Sequence, residues 1–257
     1  MYMTKHIILT LLAAAVTATA GNQIIETQPY VDGSLRNTHV AVSTTYASQE
    51  LWRGVSRGDD SFQAVVTGDI ALTDYITTFA GVTLRNTDAV DSDYIFTGGI
   101  RKDFSNVGLT GTSLAVLFNY YTEGTNVSGD ITSEIGVELS QDVDLFMLPV
   151  DNVTVTQYLT TEGTSQSYGE VDLTKTVNVF NLPIDISGSL GYVADESEYT
   201  HAGVTISTDI QTGMPGLVVT PYVSYIFSLG DDTDELRGIY VGAEDEVAVG
   251  FRATYNF

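Results

Sequence analysis

The chain has no cysteine, which excludes a disulfide scaffold and any thiolate-based metal or redox site. Basic residues are scarce: ten Lys and Arg stand against 33 Asp and Glu, a formal net charge of -23 over 257 residues. A chain of that sign repels phosphate, so nucleic acid is excluded as a partner. Long hydrophobic runs are missing too. The one apolar run without charge or turn residues, residues 7–16, is about half of what a membrane-spanning helix needs. A helical membrane protein is therefore excluded, and no segment reads as an amphipathic helix. Nucleophile and phosphate signatures are also lacking: there is no Gly-x-Ser-x-Gly and no phosphate loop.

That short run has a setting of its own. Lys5 and His6 precede it, and Ala18-Thr19-Ala20 follows, just before Gly21. A basic start, a short apolar stretch and a small-residue site make a secretory signal, cleaved after Ala20. Residues 1–20 are thus expected to be removed, residues 21–37 to form a periplasmic N-terminal tail, and residues 38–257 to form the folded domain. The lack of cysteine fits export into an oxidising periplasm.

Beyond Asn37 the pattern has period two almost throughout. In residues 131–140, Ile131, Ser133, Ile135, Val137 and Leu139 fall on one face. Thr132, Glu134, Gly136, Glu138 and Ser140 fall on the other. Similar alternation marks 40–47, 62–72, 76–85, 94–101, 114–121, 153–160, 168–177, 184–192, 200–208, 219–227 and 247–257, so the chain reads as about twelve strands. A soluble sandwich would carry Lys and Glu on its wet face, yet only Lys102 and Lys175 remain beyond the signal. The polar face is Thr, Ser, Gly and Asn, which suits a lumen, and the strand lengths suit a tilted span. The expected fold class is all-β: a closed antiparallel transmembrane β-barrel of about twelve strands, in which closure pairs every backbone group.

The last strand is the most specific signal. Phe257, Tyr255, Ala253, Phe251, Val249 and Val247 share one face and end on an aromatic residue. That arrangement resembles the signal outer-membrane barrels present to their assembly machinery, with Phe251, Tyr255 and Phe257 as its aromatic residues. With both termini periplasmic, the outer loops are expected at 49–61, 86–93, 122–130, 161–167, 193–198 and 228–246. They hold most of the acids, including Asp59, Asp60, Asp93 and the run Asp231-Asp-Thr-Asp-Glu235. Tyr46, Trp52, Phe62, Tyr94, Tyr120, Tyr158, Tyr192 and Phe227 are expected in an outer aromatic girdle, and Tyr75, Phe104, Tyr255 and Phe257 in an inner one.

The segment Leu51-Trp-Arg-Gly-Val-Ser-Arg57, with Trp52, Arg53, Gly54 and Ser56 at its centre, resembles the aromatic-Arg-Gly-Ile/Val-Ser motif of the TorF-type porins, a proteobacterial outer-membrane family. The likeness continues through Phe79-Ala-Gly-Val82, Tyr94–Gly99, Phe118-Asn-Tyr-Tyr121, Ser133-Glu134, and Tyr168-Gly-Glu-Val-Asp-Leu173 with Gly191-Tyr192. Thr122-Glu-Gly124 stands where the family often has Pro-Gly, and a Trp-rich third strand is missing. The resemblance implies a porin-type barrel and leaves its solute open.

Parity places Asp69, Arg85, Arg101, Glu134, Glu138, Glu170, Asp172, Asp185 and Arg252 in the lumen. The basic groups fall on strands 3, 4 and 12 and most of the acids on strands 6 to 9, which would set a field across a pore. Twelve strands give a backbone diameter of roughly 25 Å and a passage on the order of 10 Å, unless Tyr and Arg side chains fill it. Arg53 either collects anions at the mouth or ties its loop to a wall carboxylate. The run 231–235 lacks the order of a calcium loop and reads as a solvated acidic rim, so no metal site and no cofactor are expected. His201 shares a face with Ser207 but lies roughly 20 Å from it along the strand, which disfavours an enzyme. The expected function is passive diffusion of small hydrophilic solutes or ions. The alternative is a closed barrel acting as a structural or adhesion module through acidic outer loops. The expected partners are outer-membrane lipid and lipopolysaccharide, the barrel assembly machinery and the solutes themselves.

Overall fold

The computed structural model describes residues 38–52, 55–87, 93–122, 131–143, 150–163, 167–180, 182–194, 198–229 and 245–257. The expected signal (1–20) and tail (21–37), Arg53, Gly54 and the acidic run 231–235 lie outside the described residues. The strands are β1 (Thr38–Trp52), β2 (Val55–Thr73), β3 (Ile76–Asn86), β4 (Asp93–Asp103), β5 (Thr112–Tyr121), β6 (Ile131–Asp142), β7 (Asn152–Gly163), β8 (Ser167–Val179), β9 (Leu182–Val193), β10 (Glu198–Ser207), β11 (Ile210–Gln211), β12 (Leu217–Ser228) and β13 (Glu246–Asn256).

Each long strand pairs antiparallel with its neighbours in sequence, β1 pairs with β13, and β10 pairs with β12. Those last two ladders close the ring. β11 is a two-residue ladder against β12 within the preceding connection, so the wall is a closed barrel of twelve long strands. Thr38 and Phe257 lie at the same end, where the Phe257 N–H donates to the Val40 carbonyl. We call this the near end and the opposite one the far end.

Alternation explains both faces. Val66, Ile70, Phe96, Ile100, Val116, Phe118, Ile135, Val137, Leu139, Val155, Val204, Ile206, Val223 and Val249 are all exposed on the outer wall. A continuous apolar belt of that kind is matched to lipid rather than water. Phe251 lies on it, at 49% exposure, and Phe257 is exposed at its edge. The girdle expectation needs one correction: Tyr158 is buried inside the barrel, because the even positions of β7 face inward. Tyr46, Tyr94, Tyr120, Phe227 and Tyr75 do stand exposed.

Two stretches depart from simple alternation. Of the predicted loop at 49–61, residues 49–52 and 55–61 are strand: β1 and β2 stay paired up to Trp52 and Val55. Gly58, at φ 122°, and Asp60, at φ 48°, read as turn residues but lie within the hairpin. In β6, register shifts around Ile131, Ser133 and Glu134 break the parity, so Ile131 and Ser133 are buried together with Glu134 rather than opposite it.

At the near end, Asp151 accepts from the Lys175 ammonium and from the Thr176 N–H at 2.8 Å. Led by the Lys175 contact, these bonds hold its carboxyl below the usual carboxylate range. A carboxyl held low contributes at neutral pH and loses its contribution as pH falls through its lowered value. Both side chains are exposed, and solvent screening keeps the effect small. Asp151→Asn should therefore leave the urea midpoint at pH 7 unchanged within error; a clear loss would show that this turn clamps the barrel.

Candidate functional site

The barrel interior collects the charges that parity sends inward, and register decides which of them meet. Arg85 on β3 is paired across to Asp93, the first residue of β4. Its Nε donates to Asp93 Oδ1 at 2.9 Å and its Nη2 to Asp93 Oδ2, a two-pronged contact. Glu50 Oε1 lies 3.3 Å from Nη1 on the other side. All three side chains are at least 96% buried. On the neighbouring wall the Tyr121 hydroxyl donates to Glu134 Oε2 at 2.9 Å, and Glu134 is fully buried. Asp93, expected in an outer loop, is thus an interior ligand of Arg85.

A second group lies along one row of paired positions. Arg101, Ala115, Glu138, Thr156, Glu170, Gly191 and His201 are successive register partners from β4 to β10. Small residues in the row let larger ones meet. Arg101 reaches across Ala115 to Glu138, with Nη2 at 3.2 Å from Oε1. The His201 ring lies over Gly191, where any Cβ would fall 2.5 Å from Cε1. His201 Nδ1 sits 3.0 Å from Thr200 Oγ1, and the Tyr168 hydroxyl donates to Glu170. Thr156 Oγ1 and His201 Nε2 are buried with no partner among the described residues, and water or an ion usually completes such atoms.

Between these groups the lumen is filled by side chains the polar-face reading did not place there. Phe79, Leu117, Tyr158 and Tyr168 belong to one buried cluster. A cavity among Phe79, Thr97, Arg101, Leu117, Asn119, Glu138 and Tyr158 has a volume of about 10 Å³, room for roughly one water.

The other residues expected in the lumen stand apart from these groups. Asp69 lies 3.3 Å from His39 Nδ1, and Asp185 accepts from Thr176 Oγ1 at 2.6 Å. Asp172 and Arg252 are half-buried. The expected field between opposite walls is replaced by local pairing, since Arg85 and Arg101 each hold carboxylates on nearby strands. Of the family-like segment, Trp52 and Ser56 belong to β1 and β2, while Arg53 and Gly54 fall outside the described residues. His201 and Ser207 face the interior rather than the lipid. Among the described residues, no three His, Asp or Glu side chains gather as a metal group. Among the described residues, the buried interior thus carries five carboxylates, Glu50, Asp93, Glu134, Glu138 and Glu170, against the guanidinium of Arg85 and that of the slightly exposed Arg101.

Sequence reasoning missed Glu50, Asp93 and the inward aromatics. Extending the parity of Ile95 and Thr97 by one step would have found Asp93. Glu50 lies within the register shift between Gln49 and Leu51, which leaves no such signal.

No family model matches the chain, and neither does any curated protein. Among solved structures it is similar to the translocator domain of autotransporter NalP from Neisseria meningitidis. That match has a TM-score of 0.52 at 12% identity, over 88% of this chain and 90% of that one. A chain from work on the in-meso crystallization of membrane proteins gives 0.50 at 14% identity, over 86% and 84%. An outer membrane channel from Pseudomonas putida F1 gives 0.49 at 8% identity, over 91% and 100%. Identities this low speak for fold alone, and that fold is the outer-membrane β-barrel.

Proposed function

We propose that the chain is an outer-membrane channel for passive diffusion of small hydrophilic solutes or ions, with a preference for cations. The observation that carries this reading is the excess of buried carboxylates over guanidiniums inside a closed barrel. Burying charge of one sign is costly, and a barrel needing only a filled interior is served as well by apolar residues. Carboxylate-lined passages, by contrast, favour cations. The TorF-type resemblance of residues 51–57 points the same way. Within this reading, residues 1–20 direct export, Phe251, Tyr255 and Phe257 guide assembly, and lipopolysaccharide surrounds the acidic far end.

The second reading, a closed barrel serving as a structural or adhesion module, draws on the aromatic filling around Phe79 and Tyr158. Conductance of the refolded chain in a planar bilayer under a KCl gradient separates the two. We expect discrete steps with a cation-selective reversal potential. A folded barrel that passes no current, with the lumen also unblocked by mutation, would leave the closed-barrel reading standing.

A further inference from the structure

β1 and β2 run past their neighbours. The ladder of β1 with β13 ends at Ala47 and Gly250, and that of β2 with β3 ends at Phe62 and Asn86, yet the two strands stay paired to each other as far as Trp52 and Val55. Where β1 parts from β13, a register shift falls between Gln49 and Leu51. Strict alternation would send one of Glu50 and Leu51 outward. Instead both are buried, at 4% and 6% exposure.

The two side chains lean in opposite directions over the far mouth. Glu50 crosses β2 to the Arg85 guanidinium at 3.3 Å, and Leu51 crosses β13 to pack on Ile226 and Ala248. The remaining ties are side-chain bonds: Gln49 Nε2 donates to Glu246 Oε2 at 2.7 Å, and Ser48 Oγ accepts from the Val249 N–H at 3.0 Å. Beside residues 49–51 lies a void of about 10 Å³ bordered also by Thr45, Gln63 and Tyr222. Arg85, meanwhile, is fixed to its own wall by Asp93 whether or not Glu50 is there.

We propose that residues 49–51 form a gate at the far mouth, latched shut by the Glu50–Arg85 ion pair and the seating of Leu51 against Ala248. The proposal rests on the channel reading and adds the element that opens and closes it. Two features single out this segment: it has left the β13 ladder while keeping that of β2, and on the β13 side the Gln49 amide bond and the Leu51 contact stand where that ladder would continue. A segment held by a ladder on one side only opens at lower cost than the wall around it.

The absence of native cysteine makes the test clean. In a Leu51→Cys/Ala248→Cys chain, a short bis-methanethiosulfonate reagent should abolish most of the single-channel current, and reductant should restore it. Glu50→Gln should raise open-state occupancy by about tenfold or more, the change expected when a hydrogen bond to a charged group is weakened. Current that is indifferent to the cross-link in a folded, heat-modifiable barrel overturns the gate and leaves the channel standing. A wild type that is silent while Glu50→Gln conducts supports both. Silence in wild type, Glu50→Gln and the reduced double-cysteine chain alike overturns the channel reading and the gate with it. If the cysteine pair fails to fold, unchanged open-state occupancy in Glu50→Gln suffices to overturn the gate.

Discussion

Replacing Arg85 with Met should cost the barrel about 3–5 kcal/mol, the loss typical of stranding buried charge without its partner. Arg85 and Glu50 are 97% and 96% buried, and Asp93 is completely buried. Met fills much of the volume but leaves two carboxylates facing each other with no cation between them. Those carboxylates must then bind protons, admit water or move apart, and each route costs stability. The measurement is urea unfolding of the refolded barrel in lipid vesicles, read as a midpoint shift at constant slope. Arg85→Lys keeps the charge but loses the planar two-pronged contact with Asp93, and should fall between Met and wild type. The triple variant Glu50→Gln/Arg85→Met/Asp93→Asn removes the charge with its partners and should recover much of the loss. A single Arg85→Met variant within about 1 kcal/mol of wild type would show that water already shields these carboxylates, contrary to their burial.

Why Arg85 was legible in the sequence while its partners were not follows from the kind of order each depends on. Period-two alternation is local, and all twelve predicted strands lie on observed ones. Parity alone therefore put Arg85, Arg101, Glu138 and Glu170 inside. Pairing is not local. Arg101 meets Glu138 because register aligns both with Ala115, and no pattern within either strand reveals that. Bulges erase even the local signal. Glu50 turns inward only because β1 shifts register around it, and the Gly58-Asp59-Asp60 stretch imitates a loop while lying within β2, where Asp59 pairs with Gln49. Tyr158 was misplaced for a different reason: its position at a strand end suits a girdle, whereas its parity sends it into the lumen. Polar composition of the inward face likewise hid the aromatic filling, since Phe79, Tyr121, Tyr158 and Tyr168 pack into one cluster among many Thr and Ser.

Adjacent glycines on β4 offer the sharpest test of that filling. Gly98 faces out and Gly99 faces in, so one added methyl group should have different consequences at neighbouring positions on the two faces of the strand. At Gly98 a Cβ would meet only the Phe79 carbonyl oxygen, at an ordinary 3.6 Å, and Gly98→Ala should leave stability within about 0.5 kcal/mol of wild type. At Gly99 the same atom would strike the Val116 carbonyl oxygen and come within 2.6 Å of Phe79 Cζ. The ring could swing aside only into the lumen packed by Leu117 and Tyr158, and the carbonyl belongs to the β5 wall and cannot turn away. Overpacking of this kind costs about 1–3 kcal/mol, and the backbone obstacle places Gly99→Ala toward the upper end. The glycine here is a requirement of space rather than of backbone freedom, because it lets Phe79 and Leu117 close over β4 from either side. Equal urea midpoints for the two alanine variants would mean that the Phe79 ring is loosely held. In that case the lumen around it would have room to pass solute once the far mouth is open.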